Sequence, residues 1–509
     1  MLGLAAAVVS TIVLDGVIPD AGDSDYYLVE FEVPAGVAEI QISHAPVTDD
    51  VIDWGLWGPD GYRGWGGGLL DDAVVGATEA SRCYLPGPIT PGTWTVVLGK
   101  ARIRSYPSSY TLTVTLRDAE TLTPRERAAW PTAPVAGGPA WYRGDFHVHS
   151  IDSGDATATL DQITALMRER GLDFAAISDH NTIAQHALIA AWQAQVADLL
   201  FLRAAEVTTY GGHANAFGLS AYVDHRIGLD GRTIADLVAD VRAQDALLSV
   251  NHPALALGQA CIGCAWTHDD DTPWADVSAI EIHTGNYDLT VGLFTPMAIA
   301  RWDALLEQGY HLAALGGSDD HRAGMEDSAT PAAIGSPTTM VYAAELGEAA
   351  ILDGVRTGRT YVKLRGPDDP DVAMTVRAAD ATAMIGDQVD ASSIDVDAHV
   401  VGGAGLQLVV VRNGQPADFV TIDTDEFTAS WHYDLPEGSE RFRLELQDGS
   451  LPVVVTSHVY VTSTGTAGGC GCRSGAGADR ALVVVLLLLA ATGRRRPPRR
   501  IARATSSAP

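Results

Sequence analysis

Two stretches of the chain alternate apolar and polar residues one by one, and between them the period changes. In residues 11–118 the segments YYLVEFEV, AEIQIS, GTWTVVLG and YTLTVTLR follow the two-residue repeat of half-buried strands, with Pro/Gly turns between them. A β-sandwich of about 100 residues is predicted there. Residues 119–142, rich in Pro and Ala, read as a linker. From 143 to 367 short apolar runs (GDFHVH, FAAISDH, LRAAEV, LLSVNHP, AIEIH, HLAALGGSDDH) are separated by helical patterns such as TLDQITALMRER, AQHALIAAWQAQVADL, TIADLVADVRAQ and PMAIARWDALLEQ. Strand and helix in alternation predict an α/β unit around a parallel sheet, of a length that suits a barrel. Residues 368–462 return to alternation in LQLVVVRNG, RFRLELQ and PVVVTSHVYVTS, a second β-sandwich.

The ends read differently. Residues 2–14 are apolar, but no basic segment precedes them and no A-x-A site follows. Residues 1–10 therefore read as the remnant of a signal peptide, while the chain from Thr11 reads equally as a strand. Residues 463–509 hold GGCGC (Gly468 to Cys472), a thirteen-residue apolar run (Ala481 to Gly493) and six arginines behind it. Thirteen residues fall short of the ~20 that an ordinary helix needs to span a bilayer, and the arginines form a positive-inside stop signal. This tail resembles the MYXO-CTERM sorting segment. The resemblance implies export, processing near Cys470 and Cys472 by a sorting protease, and attachment to the cell surface or outer membrane, with release after processing.

Charge narrows the partners. The 33 Lys and Arg face 64 Asp and Glu, for a net charge of −31, and the segment from Arg473 onward is itself +7. The acidic body repels polyanions, so nucleic acid is excluded as a partner. Of five cysteines, Cys261 and Cys264 form a CxxC that is expected to close a small disulfide loop in an oxidising compartment. The stretch WGLWGPDGYRGWGGG offers aromatics to a glycan or, more simply, to packing.

The chemistry is carried by histidines. Eleven of the fifteen lie between His147 and His321, and several close strand-like runs. If all strands of a barrel run in parallel, their C-terminal ends share one rim, where such side chains converge. His147 and His149, two residues apart, point to the same face, and Asp319 with His321 repeats the arrangement. Glu206 ends its run with a carboxylate able to bridge two cations. Imidazoles with carboxylates suit zinc, manganese or iron.

In this order GDFHVHS, SDHNT, the Glu206 segment, NHP and GSDDH resemble the PHP (polymerase and histidinol phosphatase) superfamily over about 220 residues. The resemblance implies a distorted (β/α)7 barrel holding two or three divalent metal ions. It assigns as ligands His147, His149, His180, Glu206, His213, His252, Asp319 and His321. Where the family has SDG after HxHS, this chain has Ser153-Gly154-Asp155, so Asp155 is the displaced candidate. GSDDHR, IGSPTTMVYA and GRTYV further resemble the CehA/McbA branch, named for hydrolases of carbamate esters. Asp179 is expected to buttress His180. His186, His225, His268 and His311 read as packing or solvated residues, and Glu281 and His283 stand near the rim with undecided roles.

The predicted function is an exported, surface-attached hydrolase that uses metal-activated water. Its substrate is a small phosphoester or a carbamate or carboxyl ester, and Glu206, Asp319, His321 and Arg322 form its catalytic set. Arg322 and Arg203 are the cations available to a phosphate. No GxSxG elbow occurs among the strands, which disfavours a serine nucleophile. The rival reading is a surface-displayed binding protein with a non-catalytic metal site and ligand-binding β-domains. A cytosolic nuclease would need a basic groove that this composition lacks.

Overall fold

The computed structural model describes residues 7–45, 49–258, 261–324 and 332–464, so residues 1–6 of the signal reading and 465–509 of the sorting tail lie outside the described residues. The fold is mixed α/β: one large mixed sheet, three four-stranded antiparallel sheets and few helices. Among the described residues no helix is long and apolar enough to cross a membrane.

Two of the small sheets make the N-terminal sandwich. One runs Val8–Ile18, Ser108–Arg117, Glu39–His44, Ala73–Gly76; the other runs Tyr26–Val33, Gly92–Arg102, Val51–Gly58, Gly61–Gly67. The alternation places Ile40, Trp94, Leu98, Val114 and Leu116 between them. The first strand begins at Val8, with Val8 paired to Arg117 and Ser10 to Leu116. The tryptophan-glycine stretch folds as the hairpin Val51–Gly58/Gly61–Gly67, with Trp54 and Trp65 buried.

In the central region Ala136–Val148, Phe174–Ile177 and Leu200–Thr209 pair in parallel, as do Leu247–Val250, Ala279–Thr284 and Ala313–Gly317. Between the two sets lies Gly212–Phe217, antiparallel to both neighbours. The expectation of one common strand direction is thus corrected. The chain reverses at once through Tyr210 and Gly211, with Gly212 at φ +157°, leaving no room for a crossover helix. An antiparallel strand starts where its neighbours end, so His213 at its head still reaches their C-terminal rim. Beyond Gly317 the chain returns to the first strand: Asp319 N donates to His147 O (2.8 Å) and His149 N to Asp320 O (3.0 Å).

Helices Leu160–Glu169, His186–Gln193, Ile234–Arg242 and Phe294–Glu307 follow the predicted patterns. Thr159 and Thr233 open the first and third with reciprocal caps to Gln162 and Asp236. The predicted linker is strand from Ala136 onward, because Trp141 and Tyr142 pair with Tyr342 and Val341 of Thr338–Leu346. The large sheet then continues through Thr360–Lys363 into Leu451–Thr456, Gly438–Asp448 and Gln407–Arg412. A four-stranded sheet that includes Asp371–Arg377 and Ser393–Val401 packs on these strands around Val376, Val396, Leu408, Phe442 and Leu444.

Candidate metal centre

The site is built around Glu206, which is 1% exposed. Its Oε1 lies 3.4 Å from His147 Nε2, 3.3 Å from His213 Nδ1 and 3.3 Å from His252 Nε2. Its Oε2 lies 3.5 Å from His149 Nε2 and 2.9 Å from His180 Nδ1. One carboxylate therefore faces five imidazoles, with its two oxygens turned to different groups. Asp319 Oδ1 closes the inner group at 3.2 Å from His147 Nε2 and 3.1 Å from His149 Nε2. At the cavity mouth Asp155 Oδ2 stands 3.3 Å from both His180 Nε2 and His321 Nε2. The structure thus brings together His147, His149, Asp155, His180, Glu206, His213, His252, Asp319 and His321.

Local backbone makes this convergence happen. Gly317 is required where its strand crosses the first one, since a Cβ there would stand 2.3 Å from His147 Cβ. Asp319 (φ 56°) and His252 (φ 26°) hold left-handed conformations that non-glycine residues rarely adopt, and such strain concentrates at functional sites.

Among the described residues, His147 Nε2, both nitrogens of His149 and Glu206 Oε2 are buried without a well-aligned hydrogen-bond partner, close as their polar neighbours stand. Leaving such atoms unpaired is costly. His147 Nε2 and His149 Nε2 face the Glu206 carboxylate, and one ligand atom from each of His147, His149, Glu206 and Asp319 lies within 4.8 Å of the others, as for His149, His180 and His321. A divalent cation fits this donor set. Burial, with His321 and His180 beside it, lowers the His149 ring to about 3, the neutral form a metal needs. Burial alone would raise the Glu206 carboxyl, but His147, His180 and His213 hold it well below the usual range.

Outer partners fix the rings. His252 Nδ1 faces Cys264 O (3.0 Å) and His213 Nε2 faces Ile262 O (3.3 Å), which turns their other nitrogens to Glu206. Both carbonyls belong to the loop closed by the Cys261–Cys264 disulfide, so Cys264 offers no thiolate. Glu281 receives the His252 N–H at 2.7 Å and lies 3.2 Å from His147 Nδ1. Asn251 Nδ2 donates to Glu206 Oε1 (2.9 Å). The AIEIH run was the sequence signal for Glu281; Asn251 showed only as the neighbour of His252.

Other expectations are corrected. Asp179 accepts from Ser150 N (2.6 Å) and Oγ (2.7 Å), so it braces the HxHS loop instead of His180, whose Nδ1 is 2.7 Å from Thr208 Oγ1. The Arg322 side chain is exposed and does not line the cavity, and its backbone N–H caps Asp320. Arg203 points away from the site to Glu348 (2.6 Å), because side chains alternate along its strand and Glu206, three residues on, takes the opposite face. His225 is buried and lines the cavity, 4.5 Å from the Trp65 ring. His283 is tied to Thr295 (2.6 Å) outside the cavity.

These side chains open into a cavity of about 550 Å³. Its far wall comes from the N-terminal sandwich: Tyr26, Asp53, Trp65, Leu69 and Leu70. Tyr210 Oη donates to Asp53 Oδ2 (2.7 Å), and burial, opposed by that bond, raises the Asp53 carboxyl to about 6. Neither lysine nor arginine lines the cavity among the described residues.

No family model matches the sequence, and no curated protein matches it. Among solved structures, the chain is similar to a two-domain protein of Bacteroides vulgatus containing a predicted PHP-like metal-dependent phosphoesterase. The identity is 18%, over 66% of this chain and 100% of that one, with a TM-score of 0.37. It is also similar to a lesion-specific endonuclease of Pyrococcus furiosus, at 13% identity over 44% of this chain and 58% of the endonuclease, with a TM-score of 0.31.

Proposed function

We propose that the chain is a metal-dependent hydrolase of the PHP type, in the manner of the CehA/McbA branch, whose central strands form that family's distorted barrel. The observation that carries this reading is the buried Glu206 carboxylate, shared by five imidazoles and flanked by Asp319, with donor atoms left unpaired. Bound divalent cations would supply Lewis acidity, activating water and stabilising the charge that develops on the substrate oxygen. His147, His149, Glu206 and Asp319 would hold one, Glu206, His213 and His252 a second, and His180, His321 and Asp155 a third. Glu281 and the carbonyls of Ile262 and Cys264 orient the rings.

The lining favours an uncharged carbamate or carboxyl ester over a phosphoester. A phosphate calls for cationic side chains; of the two arginines expected for that task, Arg203 pairs with Glu348 and Arg322 is exposed and does not line the cavity, while Trp65, Tyr26, Leu69 and Leu70 suit an apolar substituent. The completeness of the ligand set speaks against the binding-protein reading. Export and surface attachment are part of the proposal and rest on the Gly/Cys motif, apolar run and arginine cluster of the tail.

Metal analysis of purified protein, coupled to turnover of p-nitrophenyl acetate and p-nitrophenyl phosphate, tests the reading. Bound metal with faster cleavage of the acetate is expected, and His147→Ala with Asp319→Ala should lower kcat on the order of a thousandfold. Undiminished turnover in that double variant would overturn the mechanism.

A further inference from the structure

Asp155 is the most exposed of the assembled residues, and its Oδ1 accepts from Ser153 Oγ (3.0 Å) within the same loop. Its side chain is 55% exposed and sits on an irregular loop, whereas His147, His149 and Glu206 are buried on strands. An exposed carboxylate on such a loop ordinarily samples many positions. Here the loop is gripped from outside. Arg82, from the N-terminal sandwich, donates to the carbonyls of Ile151 (3.4 Å), Gly154 (3.0 Å) and Ala156 (3.1 Å), three points that bracket Asp155. Gly154 lies so close to the sandwich that a Cβ would stand 2.3 Å from Gly66 O. Arg125 bridges Asp152 (3.2 Å) to Glu79 of the sandwich (3.3 Å). The loop after His180 is held likewise, by Tyr62 Oη donating to Asn181 O (2.6 Å) and Thr182 Oγ1 donating to Cys83 O (3.1 Å).

We propose that the N-terminal sandwich assembles the outer cation position: Arg82 and the Gly66–Gly154 contact hold the loop that presents Asp155 to His180 and His321. The inference rests on the metal-site reading above. Arg82 is a positioning residue, since it touches neither cation nor substrate. A side chain at 154 would collide with Gly66 O, so the turn that carries Asp155 requires glycine there.

The test is Mn2+ titration of the metal-stripped full chain, with cations counted per chain and thermal melts confirming the fold. Asp155→Ala sets the benchmark by losing the weakest-bound cation. Arg82→Ala and Gly154→Ala should each weaken that same cation by about tenfold or more, leave the others bound, and melt cooperatively. Arg82→Lys, which keeps charge but not the three-point grip, should recover only part. Wild-type stoichiometry and affinity in both variants, beside a deficient Asp155→Ala, would overturn this inference alone. Loss of all cations together from folded Arg82→Ala would also overturn it. A wild-type chain that binds no Mn2+ would overturn both this inference and the functional reading.

Discussion

The two β-rich flanks are joined to the central sheet in opposite ways. The C-terminal flank is continuous with it: Tyr361, Val362 and Lys363 pair with Thr456, Val455 and Val454, and Val362 and Val455 share one apolar core with Ile280 and Trp302. Among the described residues the N-terminal flank shares no strand ladder with the central sheet and meets it through side chains and loop carbonyls. Yet Tyr26, Asp53, Trp65 and Leu70 form a wall of the cavity, while no described residue beyond His321 lines it. Backbone pairing gives a rigid brace at a distance from the chemistry. Contacts onto loops place a flank where ligands and substrate are held, because loops at strand ends carry the site.

Substitutions on the two sides separate these roles. Phe442→Ala, in the C-terminal core, removes a fully buried ring and should cost about 3–5 kcal/mol in denaturant unfolding. The kcat/KM per folded molecule should stay unchanged. A fall in kcat/KM would mean that the brace reaches the site after all.

A smaller effect is expected at Glu79, where the N-terminal sandwich is tied to Arg125 and Arg127. Burial alone would raise this carboxyl, but hydrogen bonds from Arg127 and from the backbone of Arg125 and Ala80 lower it to about 2. A depressed carboxyl contributes stability that is present above its ordinary value near 4.5 and is lost as the pH falls towards 2. With Arg125 partly exposed, the contribution is about 1–2 kcal/mol. Glu79→Gln should lower stability by that amount at pH 7 and flatten the acid limb of the stability curve. Unaltered acid unfolding would show that the tie carries no energy.

The smallest change in free energy is expected at Leu70, 62% exposed at the cavity wall. Leu70→Ser should leave thermal unfolding where it is and raise KM for an apolar ester on the order of tenfold. An unchanged KM would remove the sandwich from the substrate's path.

Much of this could be read in the chain. The HxH, SDH, NHP and SDxH segments sit at strand ends, and local alternation marks the strands, so the side chains that converge on Glu206 stood out before any contact was known. What escaped was non-local or directional. Asp53 and Tyr210 meet across 157 positions, and no pattern within either segment announces the pairing. Arg203 had suitable chemistry, but the alternating strand face aims it at Glu348, and Arg322 is exposed and outside the cavity lining. The strand Gly212–Phe217 was hidden because GGHANAF is short and almost without large apolar residues, so pairing on both sides, and not its own pattern, makes it a strand.

The central claim is that these imidazoles and carboxylates act through cations. Hydrolysis of p-nitrophenyl acetate by the metal-stripped chain, before and after zinc, manganese or iron is restored, tests it most directly. Near-complete loss on stripping with recovery on restoring one of these ions is the expected result. A stripped chain, verified free of metal, that cleaves the ester at the original rate would contradict the account.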